Sequence, residues 1–149
     1  MTTPPIEAVA GGDFTGYVIL DPGHLTLTER GPVLRGSRCP ACELHFFPPR
    51  WECAVDQTPC TEVELSQEGQ LRVATYVHTP SYGTRAVAAE GYGVGQVDPP
   101  EGVRVQAMLS GNRELWTHGR RMRLVTGSVG SDGQGRRRLV YRFAPVTDS

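Results

Sequence analysis

Lysine is absent from the sequence, and neither charge is in excess. All fifteen basic residues are arginine, sixteen residues are acidic, and the formal net charge over 149 residues is −1. A nucleic-acid-binding domain usually carries a basic excess, so this balance argues against that class. No apolar run approaches the roughly 20 residues of a membrane-spanning helix, so we expect no membrane association.

Hydrophobic side chains are also modest in number. They make up 38% of the chain, which contains 18 glycines and 12 prolines. This composition is typical of a β-rich protein with many turns rather than of a helical bundle. The length suits one domain, or one small domain with an appendage. Residues 1–7 contain neither the basic nor the apolar segment of a signal peptide, so we expect a cytoplasmic protein.

Cysteine occurs at four positions only, which are close together in the sequence: Cys39, Cys42, Cys53 and Cys60. Thiolates at C-x2-C spacing can bind zinc from a tight turn, and a second pair from a facing turn completes a tetrahedral site. A site closed by four thiolates has no open position for a water molecule. The spacing therefore predicts one structural zinc ion and argues against zinc catalysis.

Asp56 and His45 compete with the cysteines as ligands. Asp56 is separated from Cys53 by two residues, where a compact zinc ribbon would place its last cysteine. We favour Cys60 over Asp56, because thiolate is the better zinc ligand in an all-sulfur site. The alternative to a metal site is a pair of disulfides, which require an oxidising compartment, or a set of buried free thiols.

The order of segments around the cysteines predicts three parts. Residues 1–32 form a flexible arm and a packing segment, in which Tyr17–Leu20 and Leu25–Leu27 are extended. Residues 33–66 form a rubredoxin-like zinc ribbon, with a strand before the first cysteine pair and a short strand at residues 44–47 that two prolines end. Residues 67–149 form a barrel.

Five short strands are predicted in this last part: Gly69–His78, Tyr92–Val97, Val103–Leu109, Arg121–Ser128 and Arg137–Phe143. In the first strand apolar residues such as Leu71 and Val73 alternate with polar ones, which predicts a half-buried strand. A short helical piece at residues 111–116 separates the third strand from the fourth. The protein is therefore predicted to be mostly β, with a five-stranded OB-fold barrel rather than a seven-stranded sandwich.

Several motifs, taken in order, resemble the zinc-ribbon plus OB-fold proteins that accompany thiolases, a family formerly catalogued as a domain of unknown function. The matching segments are Leu34–Cys42, Phe46–Arg50, Cys53, Gly69–Leu71, Tyr92–Val97, Glu101–Val105 and Tyr141–Pro145. The resemblance covers residues 33–145.

The resemblance implies a non-catalytic accessory subunit of a thiolase-like enzyme complex that acts on an acyl-CoA thioester. The partner would be a thiolase-fold protein, in a heterotetramer or a larger assembly, and it would supply the nucleophile. This chain would shape the substrate channel, carry one zinc ion and possess no catalytic residue. A CoA thioester at the partner interface is a further implication.

Two segments are candidates for contact with the partner or the substrate channel. The first contains Phe46, Phe47, Arg50 and Trp51, which either pack on the barrel or dock the partner, since aromatic residues and arginine are favoured interface anchors. The second is the long loop 79–91 after the first barrel strand. Its candidate residues are Tyr82 and Arg85, together with His78 at the end of the strand that precedes it.

Two other functions compete with the accessory-subunit hypothesis. Arginines at positions 120–123 and 136–142 suggest a nucleic-acid-binding ribbon and barrel, but by alternation Tyr141 and Phe143 point away from Arg138 and Arg142, whereas single-strand binding uses interleaved aromatic and basic residues on one face. A free-standing acyl-CoA carrier is the third possibility. Catalysis by the chain alone is not indicated, because its four histidines lie in different segments.

Overall fold

The computed structural model describes residues 16–78, 81–82, 85–86 and 91–147. Its strands are β1 (Tyr17–Ile19), β2 (Leu25–Thr28), β3 (Gly31–Arg38), β4 (His45–Phe46), β5 (Thr61–Glu64), β6 (Glu68–Val77), β7 (Ser81–Tyr82), β8 (Arg85–Ala86), β9 (Tyr92–Asp98), β10 (Val105–Leu109), β11 (Arg121–Ser131) and β12 (Arg137–Pro145). A single turn of 3₁₀ helix spans Arg113–Leu115. Within these residues, no helix has the length and apolar character needed to cross a membrane.

Five strands close into a barrel in the order β6, β9, β10, β12, β11 and back to β6. All of these pairs are antiparallel except β10 with β12, which is parallel. The parallel pair arises because the chain crosses the end of the barrel through the 3₁₀ helix before β11. This is the connectivity of an OB fold, and it confirms the predicted barrel and the short helical piece between its third and fourth strands.

The predicted alternation in the first barrel strand is wrong beyond Leu71. Leu71 pairs with Val97, but the next paired residues are Val73 and Gln96, so Arg72 is an extra residue in a β-bulge. A bulge shifts the following side chains to the opposite face of the sheet. Leu71 is therefore buried, whereas 54% of Val73 is exposed.

The ribbon that carries the four cysteines is built around β3. The first half of β3, residues 31–34, pairs with β2, and the second half pairs with β5 on one edge and β4 on the other. The strands at Tyr17–Ile19 and Leu25–Thr28 confirm that residues 17–27 contain extended packing segments, and β1 pairs in parallel with β12. The predicted flexible arm lies outside the described residues apart from Gly16.

One hydrophobic core joins the ribbon to the barrel. It includes Leu25, Leu34 and Leu65 around the ribbon and Leu71, Val105 and Phe143 in the barrel. Polar contacts reinforce this junction, because Glu101 accepts hydrogen bonds from the backbone and hydroxyl of Ser66 at 3.0 and 2.6 Å. The ribbon is thus held in a fixed orientation on the barrel. The predicted limits of the three parts stay predictions.

Candidate metal centre

The first pair of cysteines lies in a tight turn whose backbone is hydrogen-bonded at both ends. The Cys39 amide donates to the Leu44 carbonyl at 2.9 Å, and the Glu43 amide donates to the Cys39 carbonyl at 2.9 Å. Glu43 closes the turn with φ of 64°, in the left-handed region. The Cys42 amide points to Cys39 Sγ at 3.5 Å. Cys39 and Cys42 are thereby aimed at one point.

The second turn repeats the first. The Cys53 amide donates to the Thr58 carbonyl at 2.9 Å, the Gln57 amide donates to the Cys53 carbonyl at 3.0 Å, and Gln57 has φ of 62°. Counting from each first cysteine, Asp56 stands where Cys42 stands in the first turn. The two turns are therefore equivalent in backbone structure, with a carboxylate in place of the fourth thiolate.

Ligand atoms of Cys39, Cys42, Cys53 and Asp56 all lie within 4.8 Å of one another. Cys42 Sγ is 3.5 Å from Cys53 Sγ, and Cys39 Sγ is 3.6 Å from Asp56 Oδ1. In a tetrahedral zinc site with Zn–S of about 2.3 Å and Zn–O of about 2.0 Å, sulfur atoms are about 3.8 Å apart and sulfur and oxygen about 3.5 Å. Three thiolates and one carboxylate at these separations fit a zinc ion.

The inner ligands are buried and the outer ones are exposed. Cys39 and Cys53 are buried, whereas Cys42 and Asp56 face solvent. The amide of Cys42 lowers the pKa of the Cys39 thiol. The Leu44 amide lowers the pKa of Cys42, but desolvation and the thiols of Cys39 and Cys53 outweigh it and raise that pKa to about 11. The Cys39 thiol therefore loses its proton more readily than the Cys42 thiol, as expected for neighbouring thiols whose titrations interact.

Cys60, our predicted fourth ligand, lies outside this group of four. Its Sγ is 3.8 Å from the Thr58 carbonyl oxygen, and the side chain is partly buried. Burial raises the pKa of the Cys60 thiol, and the negative charges of Cys39 and Cys53 raise it further. The structure thus brings together three of the four predicted cysteines with Asp56, the alternative ligand, and does not include His45 in the group. The preference for Cys60 over Asp56 stays a prediction.

The surroundings of Asp56 favour its ionised form. The backbone amide of Thr58 donates to Asp56 Oδ1 at 3.0 Å, and this hydrogen bond is the main cause that lowers the pKa of the carboxyl. An anionic oxygen suits a zinc ion. The sequence indicated this ligand by the two-residue spacing between Cys53 and Asp56, but the chemical preference of zinc for sulfur favoured Cys60 instead.

The aromatic residues of positions 46–51 divide between the two roles considered for them, packing on the barrel and contact with a partner. Phe47 packs inward, with ring centroids 5.6 Å from His24 and 6.1 Å from Tyr141. Arg50 lies 5.8 Å from the centre of the Phe46 ring. Trp51 projects into solvent with 92% of its surface exposed. Phe47 is thus part of the ribbon–barrel junction, and Trp51 is free to contact another molecule.

Two further exposed apolar residues of the ribbon were missed by sequence reasoning. Leu44 follows the first cysteine turn and is 44% exposed, and Val55 lies in the second turn and is 72% exposed. Both lie in or next to the short turns that carry the cysteine and Asp56 cluster. We call Leu44, Trp51 and Val55 the ribbon-tip residues.

His78 does not approach the metal centre. Its exposed ring packs edge-on against Tyr76, with centroids 5.0 Å apart, and the Arg113 guanidinium lies 4.0 Å from the Tyr76 ring centre. The backbones of Tyr82 and Arg85 belong to the hairpin of β7 and β8. Their side chains, and the remainder of the loop predicted to line a channel, lie outside the described residues.

Several arginines of the proposed nucleic-acid surface are engaged in ion pairs. Arg121 and Arg123 both contact the Glu68 carboxylate, the latter at 3.1 Å, and Arg136 contacts Asp132 at 2.9 Å. These pairs neutralise part of the positive charge that a nucleic-acid backbone would need.

No family model and no curated protein matches the sequence. Among solved structures, a chain of the "Ltp2-ChsH2(DUF35) aldolase" aligns with a TM-score of 0.59 and 23% identity, over 77% of this chain and 86% of that chain. A protein of unknown function from the DUF35 family of Sulfolobus solfataricus aligns with a TM-score of 0.50 and 14% identity, over 76% of each chain. Together with the cysteine cluster and the closed barrel, these matches confirm the predicted resemblance: the chain has the zinc-ribbon and OB-barrel fold of DUF35 proteins.

Proposed function

We propose that this chain is a non-catalytic accessory subunit of a thiolase-like enzyme complex that acts on an acyl-CoA thioester in the cytoplasm. The observation that carries the proposal is the shared fold with a chain of the Ltp2-ChsH2(DUF35) aldolase, whose name joins a DUF35 protein with a second protein in one aldolase. The thiolase-fold partner supplies the nucleophile, and this chain supports the substrate channel.

The cysteines and histidines, the side chains best suited to catalysis, have structural surroundings, and this supports the assignment. Three cysteines gather at the metal centre. His24 packs against Phe47, His78 packs against Tyr76, and His118 Nδ1 lies 2.9 Å from the Arg72 carbonyl oxygen. A nucleophile needs a base within hydrogen-bonding distance and a pocket for the reacting atom. These histidines are instead spread over the surface of the barrel and the junction.

The ribbon-tip residues are the surface that we assign to the partner. An exposed tryptophan offers a large contact area, and tryptophan is among the residues that contribute most to binding energy at interfaces. These exposed apolar side chains fit a thiolase-fold partner that presents an apolar patch. The metal holds the two turns that display Leu44 and Val55.

The experiment is an affinity purification of the tagged full-length chain from its host, with mass spectrometry of what is retained. We expect a thiolase-fold protein, which co-elutes with the chain in size-exclusion chromatography as a heterotetramer or larger. Turnover of acyl-CoA should appear only when both proteins are mixed, and should vanish when the partner's nucleophile is substituted. Turnover by the purified chain alone, or a retained set without a thiolase-fold protein, would overturn the proposal.

A matched pair of variants tests the contact surface. Trp51→Ala should strongly lower retention of the partner while leaving the fold unchanged. Val73→Ala removes another exposed apolar side chain, 54% exposed on the barrel, and should retain the partner as the wild type does. Equal retention by both variants would place the interface elsewhere.

A further inference from the structure

We propose that the metal centre of this chain has two alternative fourth ligands, Asp56 and Cys60. In one form the ion is bound by three thiolates and the Asp56 carboxylate, and in the other by four thiolates. This inference concerns the metal centre only and stands whether or not the partner assignment is correct.

The backbone places Cys60 on the face of the second turn that carries the ligands. Glu52 and Pro59 form an antiparallel bridge, flanked by hydrogen bonds from the Cys53 amide to the Thr58 carbonyl at 2.9 Å and from the Cys60 amide to the Trp51 carbonyl at 2.8 Å. In such a pair, the neighbours on either side of the bridge point to the same face, opposite to the bridged residues. The side chains of Cys53 and Cys60 therefore leave the hairpin on the same side.

The Cys60 thiol is also close to the ligands without being one of the four. It is partly buried, and its backbone position places it on the face of the hairpin from which Cys53 reaches the site. Its Sγ rests 3.8 Å from the Thr58 carbonyl oxygen, in a contact too weak to hold it there. A rotation about the Cα–Cβ bond of Cys60 therefore moves the sulfur away from this carbonyl.

Asp56 is the ligand that is able to leave. It is exposed, and its carboxylate already has an alternative partner in the Thr58 amide at 3.0 Å. Exchange breaks the bond from the metal to Asp56 oxygen and forms a bond to Cys60 sulfur, while the thiol proton passes to solvent. The site keeps its charge, because one anionic ligand replaces another. Thiolate is the stronger zinc ligand, whereas the preformed turn favours Asp56, and these two opposing preferences bring the forms close in free energy.

Cobalt(II) substitution of the full-length chain tests the proposal, because the sulfur-to-cobalt charge-transfer band grows with the number of thiolates. Two reference variants fix the scale: Cys60→Ala gives three thiolates and a carboxylate, and Asp56→Cys combined with Cys60→Ala gives four thiolates. We expect Asp56→Ala to bind one metal ion per chain with the four-thiolate band. Glu52→Ala, which removes an exposed carboxylate from the opposite face, should have the wild-type spectrum.

Metal affinity, measured by competition with a chelator, completes the test. Asp56→Ala and Cys60→Ala should each bind zinc within about 10-fold of the wild type, and the double variant Asp56→Ala with Cys60→Ala should bind at least 100-fold more weakly than either. Circular dichroism of each variant confirms that the barrel is folded. The proposal is overturned if Asp56→Ala shows the three-thiolate band or binds as weakly as the double variant, since Cys60 then never enters the site. It is equally overturned if Cys60→Ala alone abolishes binding.

Discussion

Phe47 and Trp51, two aromatic residues of one short segment, should have opposite effects when truncated to alanine. Phe47 bridges the ribbon to the barrel through edge-on contacts with His24 and Tyr141. Trp51 is 92% exposed. We therefore expect Phe47→Ala to destabilise the protein, and Trp51→Ala to leave stability unchanged while it weakens binding of the partner.

The magnitude follows from the burial of each ring. Truncating a fully buried phenylalanine costs about 3–5 kcal/mol, and for the half-buried Phe47 this becomes about 2 kcal/mol. The two edge-on aromatic contacts add about 1 kcal/mol together. A loss of about 3 kcal/mol lowers the melting temperature of a chain of this size by about 6–12 °C. Surface substitutions such as Trp51→Ala change stability by at most about 0.5 kcal/mol.

Thermal unfolding of the metal-loaded chain, followed by circular dichroism, measures both changes. Phe47→Leu keeps most of the apolar volume and loses only the ring contacts, so it should lie between the wild type and Phe47→Ala. The reasoning is refuted if Phe47→Ala and Trp51→Ala shift the melting temperature equally, or if Phe47→Ala weakens partner binding without loss of stability. For Trp51→Ala we expect the dissociation constant of the partner to rise at least about 30-fold, which corresponds to about 2 kcal/mol.

Removal of the metal by a chelator should unfold the ribbon, because the turns around the ligands have little apolar core; loss of hydrogen-exchange protection at residues 39–60 would report it, and full protection without metal would contradict it. Gly93→Ala should destabilise the fold by about 1–3 kcal/mol, because the added methyl group overlaps the Trp116 ring; combined with Trp116→Ala, the cost should be less than the sum of the two. Glu68→Gln should lower the free energy of unfolding by about 0.5–1 kcal/mol near pH 7, since hydrogen bonds from Arg121 and Arg123 lower the pKa of this carboxyl. A carboxyl group with a lowered pKa in the folded state contributes its full stabilisation only above its unfolded-state pKa. The difference between the wild type and Glu68→Gln should therefore disappear as the pH falls through the folded-state pKa. Denaturant titrations at pH 7 and at a pH below the folded-state pKa measure this difference.

The positions of the strands were predictable because proline, glycine and the period of apolar residues determine locally where a strand begins and ends. The barrel strands begin and end within a few residues of their predicted positions, and Pro48 and Pro49 do follow β4. The exposure of Val73 was not predictable, because a bulge leaves no mark in the alternation itself. The pattern continues through Arg72 in the sequence, while the pairing with β9 shifts by one residue.

The candidate site shows a similar division. The first cysteine pair specified its own turn, since a two-residue spacing and a left-handed closing residue suffice to aim both thiols. The second turn has the same backbone, but its fourth position holds Asp56. Ligand chemistry favoured Cys60 as the fourth ligand, whereas the geometry of the turn favours Asp56. Which of Phe47 and Trp51 faces inward depends on the path of the chain after the two prolines, and this is decided by packing against Tyr141, nearly a hundred residues later.

The order in which the strands pair also bears on how the protein is made. Both metal turns lie between residues 39 and 58, and their hydrogen bonds connect neighbours in sequence. The barrel, in contrast, is completed by β12, which pairs with β10, β11 and the early strand β1. On the ribosome the ribbon therefore emerges whole while the barrel still lacks its closing strand, so a metal ion that suits the cysteine cluster would be captured co-translationally. The metal-loaded ribbon then offers the nascent barrel a folded wall on which to assemble.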